Sequence, residues 1–167
     1  SVIQKIVSEG KPAYLRLGAG KTTPEGSYET GSFKVVHRGS EAAVTVFALG
    51  PIVNNVLAAL AEELTIAAQV NVVSALHFTL QIESDLYELL AATPKILVAE
   101  EHVGTGGLAQ QLSVQLLEKG IRIDAFKSLK AEGYPNKRYG SQSYHQKLSN
   151  LDPESIISNI KKLLDTV

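Results

Sequence analysis

The sequence predicts an α/β fold, a mostly parallel five-stranded sheet with helices on both faces. Short apolar runs rich in β-branched residues alternate with longer stretches of helical period, the pattern of successive βα units. One run, residues 96–99 (ILVA), is apolar without interruption, as a strand buried on both faces requires. A chain of 167 residues, 44% of them hydrophobic, is long enough to bury a core of its own.

Each element follows in order. Residues 12–17 (PAYLRL) read as a strand. Residues 18–32 hold four Gly, one Pro and almost nothing apolar, and read as a linker or long exposed loop. A domain boundary is therefore expected there, separating residues 1–32 from residues 33–167. Residues 33–37 (FKVVH) and 43–49 (AVTVFAL) read as two strands around the turn Arg38-Gly39-Ser40-Glu41. Gly50-Pro51 breaks the second strand. Ile52, Val53, Val56, Leu57, Leu60 and Leu64 then share one face of a helix with Pro in its first turn.

Residues 70–73 (VNVV) give a short strand, 74–81 are ambiguous, and a helix is expected over 83–92, with acidic residues at its electropositive start. Pro94 ends it, and the strand 96–99 follows. Gly106 and Gly107 precede a helix over 108–119 with Gly120 as its C-terminal cap, and 121–126 (IRIDAF) read as the next strand. Residues 127–143 look irregular. Asp152 and Pro153 announce the final helix as N-cap and first helical residue, and Ile156, Ile157, Ile160, Leu163 and Leu164 form its apolar stripe.

Composition narrows the function. Sixteen Lys and Arg against 17 Asp and Glu leave a formal charge of −1, so no net field holds a polyanion, and no nucleic-acid partner is expected. The absence of Cys excludes disulfides, thiolate nucleophiles, Fe–S clusters and Cys-ligated zinc. No apolar run approaches the length of a membrane span, and SVIQKIVSEGKP carries charges where a signal peptide needs its apolar stretch. A soluble, cytoplasmic protein without membrane contact is expected. Met is absent even at position 1, which suggests a fragment, a processed chain or a sequence from which selenomethionines are omitted.

Several motifs invite a chemical reading. Residues 18–23 (GAGKTT) resemble the end of a phosphate-binding loop, but that motif needs Gly where Leu15 stands, and no helix follows. Residues Gly104–Ala109 (GTGGLA) satisfy G-x-G-x-x-A between a strand and a helix, with Asp124 further on. The alternative function is therefore a free-standing dinucleotide-binding module using Gly104, Gly106, Gly107, Ala109 and Asp124. Against it stand Glu100 and Glu101, whose charges would repel a pyrophosphate. Glu100, Glu101 and His102 form the densest ionisable cluster and could support acid–base chemistry or bind a metal. Three consecutive residues cannot all face one site, however, and a solvated loop with one structural salt bridge is favoured. His77 reads as a core histidine, and His37 and His145 show no partner pattern. Lys127, Lys130, Lys137, Arg138 and Lys147, interleaved with Tyr134, Tyr139 and Tyr144, read as a solvated loop or an interface.

Taken together, several segments resemble the C-terminal part of the thiamine-diphosphate-dependent transketolases and their relatives. Residues 12–21 (PAYLRLGAGK) look like the last strand of that family's pyrimidine-binding domain, and 39–60 like the opening βα unit of its C-terminal domain. Residues 96–112 (ILVAEEHVGTGGLAQQL) are the most specific stretch, and 139–160 resemble the closing loop and final helix. Residues 76–82 (LHFTLQI) lack a Pro-Leu-Asp often seen there, and Ala109 replaces a common Gly.

The resemblance implies an enzyme that transfers a two-carbon ketol unit between sugar phosphates, with thiamine diphosphate and Mg²⁺ bound by domains other than this one. It implies no cofactor, metal or catalytic residue in this chain, which would be inactive alone and would support assembly. It also implies the remaining transketolase domains or a partner subunit as partners, in a homodimer. Only Arg16 carries over, as a contact to the phosphate group of the sugar phosphate.

Overall fold

Five strands build the sheet: β1 (Phe33–His37), β2 (Val44–Leu49), β3 (Val70–Ala75), β4 (Lys95–Glu100) and β5 (Ala125–Lys130). They lie in the order β1-β3-β2-β4-β5. β3, β2, β4 and β5 run parallel, and β1 pairs antiparallel with β3, Phe33 opposite Ala75 and Val35 opposite Val73. The computed structural model describes residues 2–14, 33–75, 81–133 and 136–166.

Side-chain alternation along the central strands creates two cores back to back. On β2, Val44, Val46 and Ala48 face one side and Phe47 the other; on β4, Leu97 and Ala99 face the first side and Ile96 and Val98 the second. All eight are buried, which is why both strands read as nearly continuous apolar runs.

Connection handedness decides which helix covers which side. The helices are α1 (Val2–Glu9), α2 (Val53–Ala61), α3 (Leu64–Ala67), α4 (Ser84–Ala92), α5 (Leu108–Glu118), α6 (Gln142–Leu148) and α7 (Pro153–Leu164). The link from β2 to β3 runs one way along the sheet, and the links β3 to β4 and β4 to β5 run the other way. Right-handed crossovers therefore put α2 and α3 on one face and α4 and α5 on the opposite one. The cores agree: Val56 and Leu60 of α2 join Ile156 and Ile160 of α7 on the first face, and Leu86 and Leu90 of α4 join Leu112 and Leu116 of α5 on the second.

Caps fall where the sequence places them. Asp152 accepts a bond from the Ser155 amide at 3.1 Å, starting α7 behind Pro153. Gly120, at φ +64°, ends α5: the Gly120 amide donates to Leu117 O at 3.1 Å and the Ile121 amide to Leu116 O at 3.0 Å, the paired bonds of a Schellman cap.

Four expectations change. The strand expected over 121–126 occupies Ala125–Lys130 instead. Ile121 is used in the α5 cap, and the ladder opens only after the Asp124 amide has bonded Pro94 O at 2.9 Å, so the I-R-I alternation belongs to the approach and not to the strand. Residues 127–143, read as irregular, contain most of this strand and the start of α6. Leu64, expected on the buried face of one long helix, is exposed, because the chain breaks at Glu62 and Glu63 before α3. The turn after β1 makes no hairpin, since β3 stands between β1 and β2. α1 was not anticipated. Of the strand expected over 12–17, residues 12–14 are irregular; the remainder, the linker, Arg16 and His77 lie outside the described residues.

Candidate functional site

In open α/β sheets, ligands bind beyond the carboxyl ends of the strands, where neighbouring connections depart in opposite directions. Here that place lies between β2 and β4, which connect to β3 on one side and β5 on the other. It is bounded by the short 3₁₀ turn Gly50–Ile52 and by the loop 101–107.

Glu100 closes one half of it. As the last residue of β4, two after Val98, its side chain points to the α5 face and is fully buried. Its Oε2 accepts from the Leu108 amide at 2.7 Å and its Oε1 from the Ala109 amide at 3.1 Å. These are first-turn amides of α5, which have no partner within the helix, and the carboxylate also complements the positive end of the helix dipole. Gly107 makes room for this arrangement: a Cβ there would stand 2.6 Å from Glu100 Oε2 and 2.7 Å from Oε1.

This geometry overturns the dinucleotide-binding reading of Gly104–Ala109. The amides that would hold a pyrophosphate are already bonded to a carboxylate of the protein. Asp124, the intended ribose ligand, precedes β5 at the opposite end of the sheet, paired with Arg122 at 2.8 Å. Six residues of strand separate the two ends, about 20 Å.

Glu101 and His102 do not share a site with Glu100. Glu101 is exposed and accepts from Gln142 Nε2 at 3.0 and 3.1 Å and from Gln146 Nε2 at 2.8 Å. His102 is exposed, its Nδ1 2.9 Å from Val103 O. The two glutamines lie one turn apart on α6, whose start is capped by Ser141 accepting from the Tyr144 amide at 3.2 Å. Gln146 Oε1 in turn accepts from Asn55 Nδ2 at 3.2 Å, and the same nitrogen donates to Leu151 O at 2.9 Å. A chain of amide side chains thus fastens α6 across the mouth of the β2–β4 crevice, from the loop after β4 to the first turns of α2. Sequence reasoning missed it; the available signal was two glutamines spaced i, i+4.

Of the other described histidines, His37 stands apart from this place. His37 Nε2 lies 2.9 Å from Ala67 O, beside β3's entry, and His145 is on α6. Among the described residues no three His, Cys, Asp or Glu side chains come together as a metal site.

A family model described as transketolase, C-terminal domain, matches residues 31–156. The chain belongs to that family. No curated protein matches it. Among solved structures, a split-gene transketolase described as an inactive beta4 tetramer is similar at a TM-score of 0.67 and 21% identity, covering 87% of this chain and 46% of its own. The transketolase of Campylobacter jejuni subsp. jejuni NCTC 11168 is similar at 0.59 and 17%, covering 87% and 21%. That of Leishmania mexicana is similar at 0.51 and 15%, covering 79% and 18%. At these identities the likeness establishes a shared fold, and the chain spans less than half the length of these structures. As a transketolase C-terminal domain it has the expected mostly parallel α/β sheet, and no helix among the described residues is long and apolar enough to cross a membrane. Thiamine diphosphate with a divalent metal needs a diphosphate cradle and converging oxygen ligands, and the described residues do not fit that group: the α5 amides are taken by Glu100 and no acidic cluster stands ready.

Proposed function

We propose that residues 33–167 act as the assembly domain of a transketolase-type enzyme that moves a ketol unit between sugar phosphates, and that the chemistry takes place on domains outside it. The observation that carries this reading is the occupied crevice. The position where an open α/β sheet would take a ligand is filled by Glu100 on one side and fastened by α6 on the other, within a chain that the family model matches over residues 31–156.

On this reading residues 1–32 are the end of the pyrimidine-binding domain and a linker, and Arg16 contacts the substrate's phosphate. Thiamine diphosphate and Mg²⁺ belong to the complete enzyme. The partners are its remaining domains or a separate subunit, in a homodimer in the cytoplasm.

Calorimetry with thiamine diphosphate and Mg²⁺ tests the assignment. The chain alone is expected to give no saturable heat and no ketol transfer, and transfer is expected once the missing domains are supplied. Saturable micromolar binding by this chain alone would overturn it.

A further inference from the structure

Outside the crevice, the outer edge of β5 and the flank of α7 enclose an open hollow of about 300 Å³ with an almost wholly polar lining. Lys127 shares a face of β5 with the buried Leu129 and so points toward α7, from which Asn159 and Lys162, one turn apart, also line the hollow. Lys130 borders the hollow from the strand, but it faces the other side of β5 and its side chain lies against Gly104. The opposing carboxylate in the lining is that of Glu132, which is exposed, so the ammonium groups of Lys127 and Lys162 face one negative charge.

Two further observations point to a missing acceptor. Lys161, on the same helix as Lys162, pairs with Glu63 at 2.8 Å, yet the side chains of Lys127 and Lys162 have no ion pair or hydrogen bond among the described residues. Ser149 at the base of the hollow is 5% exposed, and its Oγ accepts from the Glu132 amide at 3.2 Å, while its own O–H has no acceptor among the described residues. A buried hydroxyl left with only its donor, beneath unpaired ammonium groups, is the complement of an anionic oxygen. The turn holding Ser149 is fixed: Asn150 adopts φ +57°, and the Leu151 amide donates to Gln146 O at 2.8 Å as in a Schellman cap.

We propose that this hollow binds the phosphate group of a small phosphorylated molecule, with Ser149 donating to a phosphate oxygen and Lys127 and Lys162 balancing its charge. The site is independent of the assembly role and lies on the α7 face of the sheet, away from the β2–β4 crevice.

Inorganic phosphate and inorganic pyrophosphate are the probes, followed by amide chemical shifts of the complete chain at low salt. Saturable shifts confined to residues 127–132, 149–150 and 159–162 are expected, tighter for pyrophosphate and weakened by added salt. The double variant Lys127→Gln/Lys162→Gln should weaken binding at least tenfold with an unchanged melting temperature, and Glu132→Gln should tighten it. Shifts scattered over all surface lysines, or a double variant that binds as well as the parent, would overturn the site. Equal affinity for an acidic peptide carrying no phosphate would overturn the choice of phosphate.

Discussion

The carboxylate of Glu100 fills the space in which a side chain on Gly107 would begin, 2.6 Å from the position of its Cβ. That contact joins the end of the central strand to the start of α5, and neither partner can change without the other. Gly107→Ala is expected to destabilise the chain by about 2–3 kcal/mol, by forcing the carboxylate off the Leu108 and Ala109 amides. Glu100→Gln should be milder, since an amide retains one acceptor oxygen but turns an N–H toward the second donor. Denaturant titration checks both; a neutral Gly107→Ala would mean that the loop yields freely.

The same geometry predicts no affinity for NAD. Gly106, at φ +76°, should lose roughly 1 kcal/mol of stability on replacement by Ala through backbone strain alone. Fluorescence or calorimetric titration with NAD should show no binding by the parent or by Asp124→Ala. A measurable affinity that Asp124→Ala shifts would restore the nucleotide reading.

Thr45 and Thr93 form a buried pair at 2.6 Å, and because Thr93 Oγ1 donates to Leu89 O at 2.7 Å, Thr45 must donate to Thr93. Thr93→Val strands the Thr45 hydroxyl without an acceptor and should cost about 1–3 kcal/mol. Replacing both by Val removes the stranded group, so the double variant should lose less than the two single losses added together. Strict additivity in a double-mutant cycle would contradict this donor order.

Lys161 and Glu63 meet at 2.8 Å across α7 and the residue before α3, but both side chains are well exposed. Lys161→Ala should therefore change stability by less than about 1 kcal/mol, and less still in high salt. A larger loss would show that the contact is fixing α3 in place.

In the complete enzyme of the proposed function, Arg16→Ala should raise KM for a phosphorylated sugar on the order of ten- to a hundredfold, with kcat little changed, through loss of charge-assisted bonds to the phosphate. The dephosphorylated analogue serves as the comparison. Equal losses for both would make Arg16 structural.

The central strands were legible because burial on both faces leaves a continuous apolar run, and the caps at Gly120 and Asp152 because each needs a particular residue. β5 was misplaced for the opposite reason. At a sheet edge Lys127, Ser128 and Lys130 remain near water, so the real strand lacks the pattern that the neighbouring Ile121 and Ile123 imitate. α6 escaped notice because none of its residues is buried and its fastening is polar. Glu100 could not be separated from Glu101 and His102 by sequence: adjacent strand and loop positions send three ionisable groups in different directions, and only the placement of α5 shows which one is enclosed.

The antiparallel pairing of β1 with β3 also sets an order of events during synthesis. β1 is made first in the sheet, yet its one neighbour among the described residues, Val72–Ala75, emerges more than thirty residues later, after β2 and two helices. Until then Phe33–His37 lacks that partner, and β3 gains its place by lying down beside β2. The growing chain therefore assembles this sheet from its middle outward, and the strand nearest the N-terminal segment joins after β2 and β3 have met. Under the proposed division at residue 32, the preceding domain would be free to finish folding before this one draws the connecting chain in.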